Sequence, residues 1–156
     1  MRETAMWEYE HSAETTAAPA TVWSYWADVE RWGDWNADIE KIEVTGPFTA
    51  GTEITMHPAG QEPVRLLLAE VREPELFVDE ARFDGLLFRT AHRATPLPGG
   101  GARIVYRMEI TGEAADQAGP QIGPAITADW PETVAALIDR AEGGPGEGGR
   151  AGGGRC

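Results

Sequence analysis

The run ADQAGPQIGPAITADWPETVAALIDRA, residues 115–141, decides the fold. Within it Ile122, Ile126, Trp130, Val134, Leu137, Ile138 and Ala141 recur at steps of three, four and one. That is the spacing of one apolar face on a helix. Pro120, Pro124 and Pro131 lie in its path. Pro131 has no N–H to give to the helix ladder, so a kink or restart is predicted there. Asp129 with Glu132 three residues on has the form of a capping box for the second segment. A helix with so long an apolar face has to be covered. Nearly everything before it reads as strand, so what covers it is a sheet.

The alternation begins at the start of the chain. Over residues 6–15, Trp7, Tyr9, His11 and Ala13 take one side and Glu8, Glu10, Ser12 and Glu14 the other, which is a half-buried strand. A helix starts near Pro19, where a missing N–H costs nothing, with Val22, Trp23, Trp26 and Val29 on its apolar face. Gly33 breaks the period, and Arg31 to Trp35 reads as a second short helix or a turn. Six strand-like runs follow at 39–45, 52–57, 64–71, 76–83, 86–94 and 102–111. Gly46-Pro47, Ala50-Gly51, Glu73-Pro74, Asp84-Gly85 and the glycines 99–101 punctuate them. Strands joined by such tight turns form an antiparallel meander. The expected architecture is therefore α+β: seven antiparallel strands curving around one long C-terminal helix, with two short helices after the first strand. Residues 1–142 make one domain. Residues 143–156 are mostly glycine and are expected to be disordered.

Charge and composition narrow the function. The net charge is -13, from 26 acidic and 13 basic residues, which disfavours nucleic acid and anionic membrane as partners. The same charge also serves plain solubility. No run approaches the roughly 18 apolar residues of a membrane span, and the N-terminus lacks the apolar core of a signal peptide, so a cytoplasmic protein is expected. The single cysteine, Cys156, excludes an intrachain disulfide and a cysteine metal cluster. The three histidines have no metal-ligand spacing, and no phosphate-cradling or nucleophile-elbow motif is present. No metal and no cofactor is expected, and both a monomer and a homodimer fit the composition.

Three stretches carry a family resemblance. The first is Ala18-Pro-Ala-Thr-Val-Trp23 with Asp28, Trp32 and Trp35. The second is His92 followed by Pro98-Gly-Gly-Gly-Ala-Arg-Ile-Val-Tyr106. The third is Ile110-Thr-Gly112 with Ile122-Gly-Pro-Ala-Ile126 and Pro131 to Leu137. Together they resemble the START-like helix-grip superfamily, and within it the bacterial polyketide cyclase/dehydratase proteins, over roughly residues 4–142. The resemblance implies an internal cavity for an apolar ligand. It does not fix a reaction, because the fold hosts binders as well as enzymes.

Register places the candidate chemistry. A hairpin turn centred near Gly85 or Leu86 puts Asp79 across from Thr90 or His92 and sets Phe77, Asp79, Ala81 and Phe83 on one face with Phe88, Thr90 and His92. A loop centred on Gly99 then sets Tyr106 beside His92. Asp79, His92 and Tyr106 so converge, with imidazole as proton carrier, the carboxylate on its far nitrogen, and the phenol donating to a developing oxyanion. A slip of one residue would bring Glu80 and Arg82 inward instead. The expected ligand-lining residues are Trp26, Trp35, Met56, Phe77, Phe88, Thr90, Met108, Ile126 and Trp130. A polar pair satisfied within the sheet and tryptophans serving purely as core are the plain alternative reading. Three functions fit this pattern: a cyclase or dehydratase acting on a polyketide-like or aromatic molecule, a non-catalytic carrier or sensor of a lipid or other apolar ligand, and an interaction module whose own aromatics fill the cavity.

Overall fold

A computed structural model describes residues 6–36, 39–83 and 85–143. The tail from residue 144 onward, Cys156 included, lies outside the described residues. The elements are β1 (Met6–Thr15), α1 (Pro19–Ala27), a 3₁₀ helix (Val29–Asp34), β2 (Ile39–Val44), β3 (Glu53–Pro58), β4 (Val64–Arg72), β5 (Leu76–Phe83), β6 (Leu86–Pro96), β7 (Ala102–Gly112), α2 (Ala115–Thr127) and α3 (Trp130–Ala141). The strands form one curved antiparallel sheet in the order β1-β7-β6-β5-β4-β3-β2. Tight turns dictate the run from β2 to β7, and β1 closes the far edge by pairing with β7. Among the described residues no helix is long and apolar enough to cross a membrane.

The two-residue period sorts the faces as read from the sequence. Ile104, Tyr106, Met108 and Ile110 are buried toward the helices. Arg103, Arg107 and Glu109 lie on the other side, where Arg107 pairs with Glu8, Glu10 and Glu109. One irregularity is informative. The register of β2 shifts between Ile39 and Lys41, and Ile39 packs against the core beside Ile42 and Val44 despite its odd position. An extra residue in one strand does this, because it exchanges the faces on either side of it.

The C-terminal helix departs from its sequence pattern in two ways. The restart predicted at Pro131 is present, since α2 stops at Thr127 and α3 begins at Trp130 with proline in its first turn. Asp129 takes the N-cap position, yet the side-chain cap bond of the expected capping box does not form. The second departure is rotational. The buried stripe of α2 is Ala115, Gly119, Gly123 and Thr127, while Ile126 is 42% exposed. Ile126 therefore does not line the interior as expected. The reason is Trp7. A Cβ on Gly119 would sit 2.3 Å from the Trp7 Cβ, and one on Gly123 would sit 2.5 Å from the indole ring. The strand approaches so closely that only glycine fits beneath it, and this turns Ile126 outward and leaves Ile122 partly buried at the margin of the core.

Gly119→Ala tests that packing. Helix propensity alone favours alanine by about 1 kcal/mol. The added methyl meets an atom fixed to the β1 backbone and not a side-chain tip, so overpacking wins, and a net loss of about 1–3 kcal/mol is expected in urea unfolding. Trp7→Gly in the same chain removes that Cβ and should cancel the clash in a double-mutant cycle, whereas Trp7→Ala keeps the Cβ and should not. A stabilised single variant would mean that α2 slides freely on β1.

α3 is latched at its far end. The Tyr25 hydroxyl donates to the Arg140 carbonyl at 2.9 Å, and Arg140 Nη2 donates to the Asp34 carbonyl at 2.9 Å. Thr15 Oγ1 donates to Glu142 at 2.6 Å and the Thr16 N–H donates at 3.1 Å, which holds the Glu142 carboxyl below its ordinary range. The helix is thereby fixed over α1 and the end of β1, with Trp130 at its start against Tyr9 and Tyr106.

Candidate active site

Three adjacent strands bring the polar residues together. Asp79 on β5 lies opposite Thr90 on β6, and Phe77 lies opposite His92. On the other side of β6, Thr90 faces Met108 and His92 faces Tyr106 on β7. All of these positions share the inner face. Asp79, Thr90 and Tyr106 are 6%, 8% and 4% exposed, and the His92 side chain is 12% exposed. Glu80 lies on the opposite face, where its carboxylate accepts from Arg89 at 2.6 Å, and Arg82 is exposed. The slipped register with an inward Arg82 is therefore not the one adopted.

The electrostatics of the trio differ from the sequence expectation. The carboxyl was expected on the far nitrogen of the imidazole. That nitrogen, His92 Nδ1, instead lies 3.3 Å from the Phe77 carbonyl and donates to it, while Asp79 Oδ2 is 3.9 Å from Nε2. The pairing of Phe77 with His92 across the ladder places the carbonyl there and leaves the Asp79 carboxyl one step along the strand. Burial then separates the two groups. It lowers the His92 pKa to about 3, partly offset by the Phe77 carbonyl, so the ring is neutral. It raises the Asp79 pKa to about 7, with help from the Glu80 charge. Asp79, not His92, is the group that titrates near neutrality.

Tyr106 is held from behind. Trp26 Nε1 donates to its hydroxyl oxygen at 3.1 Å, and burial keeps the phenol protonated. Trp26 Nε1 has no other use, and the Trp26 carbonyl accepts from Trp32 Nε1 at 2.9 Å. With its oxygen already accepting, the phenol has its own proton free to donate. The neutral imidazole offers a lone pair at Nε2, and the buried Asp79 carboxyl makes no hydrogen bond among the described residues. Thr90 adds a hydroxyl on the same row.

The inner face is half filled. Next to α1, aromatic rings occupy the space where a continuous hollow was expected. Phe77 lies flat on His92, with centroids 3.9 Å apart and planes 4° apart. Trp26 stands edge-on to Phe77 at 5.3 Å, and Phe48 does so at 5.0 Å. Trp26 and Phe77 are 0% and 1% exposed, and Trp35 and Trp130 are 8% exposed each. These four residues are packed core, and Trp35 stands against Trp32 at 6.4 Å. Beyond Asp79 the same face opens. Met56, Val64, Ala81 and Phe88 point inward but remain partly exposed. The trio thus lies at the boundary between a solid aromatic half and a partly exposed apolar half, in which Ile54, Leu66 and Met108 remain buried. Two surface grooves, of about 340 Å³ at Thr15, Leu97 and Glu142 and about 280 Å³ beside Phe48, do not touch it. Among the described residues no group of three His, Cys, Asp or Glu side chains could hold a metal ion.

Residues 6–148 match the family model described as polyketide cyclase / dehydrase and lipid transport. The chain belongs to that family. No curated protein matches the sequence. Among solved structures, the polyketide cyclase/dehydrase chain is similar to norcoclaurine synthase from Thalictrum flavum, as a point mutant with a transition-state analogue. That match has 14% identity and a TM-score of 0.74, covering 92% of this chain and 98% of that one. It is similar to the Zhui aromatase/cyclase from a Streptomyces species at 18% identity and a TM-score of 0.69, covering 88% and 94%. It is similar to Ara h 8.0201 at 11% identity and a TM-score of 0.72, covering 88% and 99%. At these identities the shared feature is the helix-grip fold. Family and fold together support a role in binding hydrophobic ligands.

Two features of this family member went unread in its sequence. One is Trp26 as the partner of the Tyr106 hydroxyl, for which the chain carries no local signal across the 80 residues that separate them. The other is the contact of Trp7 with Gly119 and Gly123. Two glycines one helical turn apart inside an apolar pattern are a sign of close backbone approach, and they announced it.

Proposed function

We propose that the protein binds an apolar, polyketide-like or aromatic molecule on the open half of its inner face and moves a proton on it, as a cyclase or dehydratase. The observation that carries this reading is a buried carboxyl with no hydrogen-bond partner among the described residues, titrating at about 7, beside an imidazole lone pair and a phenolic proton. A buried polar group without a partner costs about 1–3 kcal/mol, and beside a partly exposed apolar surface a ligand with a complementary polar group would offset that cost.

The roles follow from the protonation states. Ionised Asp79 takes a proton from a carbon next to a carbonyl. The C–H electron pair moves into the enolate, and the Tyr106 hydroxyl donates to the enolate oxygen as charge builds there. Protonated Asp79 returns the proton to a departing hydroxyl, which leaves as water when a double bond forms. His92 remains neutral and accepts a hydrogen bond from the substrate at Nε2. The partly exposed apolar residues hold the carbon skeleton folded and dry around these groups.

α-Proton exchange tests the reaction without the natural substrate. 1-Tetralone in D₂O at pD 7.5, followed by proton NMR, should lose its α-proton signal faster with the protein than without. Asp79→Asn should lower that acceleration by about 100-fold, a typical size for general acid–base catalysis. Binding of tetralone, read by tryptophan fluorescence, should change little in the variant. Binding without exchange in the parent protein would favour the carrier reading, for which the tight Phe77–His92 stack is the supporting observation.

A further inference from the structure

Among the described residues no lysine or arginine of β4 to β7 shares the inner face with its buried carboxyl, and the imidazole of His11 stands opposite Tyr106 on β1. The basic residues of β4 to β7 alternate outward: Arg65 and Arg72 on β4, Arg82 on β5, Arg89 and Arg93 on β6, and Arg103 and Arg107 on β7. Several are already paired there, as Arg89 is with Glu80 and Arg93 with Glu75. α1 and α2 contain no lysine or arginine. Arg140 on α3 is spent on the Asp34 carbonyl. Among the described residues His92 is the imidazole beside Asp79, and its Nδ1–H already serves the Phe77 carbonyl. What faces the apolar half is thus a carboxyl 6% exposed, a threonine hydroxyl 8% exposed, an imidazole lone pair and, as the neutral donor among them, the Tyr106 phenol, the first two without a hydrogen-bond partner among the described residues.

We infer that this site selects ligands by the charge of their polar head: it takes a head group that donates a hydrogen bond and bears no negative charge, a hydroxyl or a protonated amine, and excludes carboxylates and phosphates. The inference rests on the open inner face being a ligand site, as proposed above, and goes beyond it in naming the head group. Asp79 and His92 Nε2 both accept hydrogen bonds, so an O–H or N–H satisfies them. A carboxylate would place a second negative charge beside Asp79 in a region with little water to screen it, where like charges repel most strongly. A protonated amine would supply the missing counter-charge. The overall charge of -13 acts in the same direction by drawing cations toward the surface and repelling anions. Free fatty acids and acyl phosphates are accordingly poor ligands, which removes a large share of lipids from the candidates.

One skeleton with four heads tests this. 2-Naphthalenemethanol, 2-naphthylmethylamine, 2-naphthoate and 2-methylnaphthalene share size and shape and differ in charge and hydrogen bonding. Affinities are read at pH 7.5 by tryptophan fluorescence and confirmed by calorimetry. The alcohol and the amine should bind about tenfold more tightly than the methyl compound, and naphthoate more weakly than it. Asp79→Asn keeps the shape and removes the charge, so it should improve naphthoate and erase the advantage of the amine over the alcohol. Thr90→Val keeps the volume and the Asp79 charge, so it should leave naphthoate rejected. Circular dichroism and urea unfolding confirm that both variants are folded. Naphthoate binding as tightly as the alcohol overturns the inference, as does a charge preference that survives in Asp79→Asn. Binding of all four heads with equal affinity sinks the inference and leaves the cyclase reading in place. Failure of every probe to bind sinks both, while tetralone binding without proton exchange sinks the cyclase reading alone.

Discussion

Trp26→Ala is expected to lower the unfolding free energy by about 3–5 kcal/mol, the range for removing a fully buried indole. Trp26 is 0% exposed and has ring contacts with Trp23, Phe77, His92 and Tyr106 between 5.3 and 6.3 Å. Its replacement leaves a hole among rings that are themselves held in place, so collapse cannot fill it. It also leaves the Tyr106 hydroxyl without its donor. Trp26→Phe separates the two effects. It keeps most of the apolar contact and loses the N–H, so its cost should be nearer the 0.5–1.5 kcal/mol of one hydrogen bond plus a modest packing loss. Urea unfolding of both variants, read by the remaining tryptophans, gives the comparison. Added indole should restore part of the alanine variant's thermal stability, because an apolar void of the right shape binds the fragment that was removed. An alanine variant within 1 kcal/mol of the parent would mean that this half of the interior is loosely packed.

The strands were legible in the sequence because one face of each is apolar and the other charged, and a single-residue slip would have buried the charges of Glu8, Glu80, Arg89 and Arg107. From the positions of two turns that constraint put Asp79 across from Thr90 or His92 and His92 beside Tyr106, with a one-residue slip left open, and the fold pairs Asp79 with Thr90 and His92 with Tyr106. The helix was less legible. A helix face has no such sharp alternation, and the rotation of α2 was set by the bulk of Trp7 on a strand more than a hundred residues away. Isoleucines 122 and 126 satisfied the apolar period equally well, but glycine won the buried positions because it let the strand approach. Filling of the interior was illegible for a related reason. Four tryptophans between positions 23 and 35 read equally as cavity wall or plug. Only three-dimensional packing decides which way each indole turns, and it placed Trp23 and Trp26 against Phe48 and Phe77. The direction of the His92 ring was likewise beyond sequence, since a backbone carbonyl competed with a carboxylate for the same nitrogen.

The Asp79–His92 pair should make the protein's stability nearly independent of pH over a window where each member alone would tilt it. In the unfolded chain the imidazole holds a proton below about 6.5 and the carboxyl loses its own above about 3.9. In the fold burial reverses the order: His92 is neutral down to about 3 and Asp79 holds its proton up to about 7. Asp79 therefore contributes stability that is fully present at low pH and is lost as pH rises through about 7. His92 contributes stability that is present above its unfolded pKa and is lost as pH falls toward about 3. From about pH 4 to 6.5 folded and unfolded pairs each carry one proton, on opposite partners, so the two slopes cancel. Removing one partner exposes the other. The stability of Asp79→Asn relative to the parent should climb by about 1.4 kcal/mol per pH unit through this window. At pH 8 the asparagine variant should exceed the parent by up to about 4 kcal/mol, an upper bound because buried carboxyls relax and hydrate. His92→Gln should tilt the other way, losing stability relative to the parent as pH rises. Slopes and not absolute values carry the test, because lost stacking on Phe77 lowers the whole glutamine curve without tilting it. Urea unfolding at half-unit steps from pH 4 to 8 reads both. A difference curve for Asp79→Asn that stays flat would mean that the carboxyl is solvated in the folded protein, and the proton chemistry proposed for the site would lose its source.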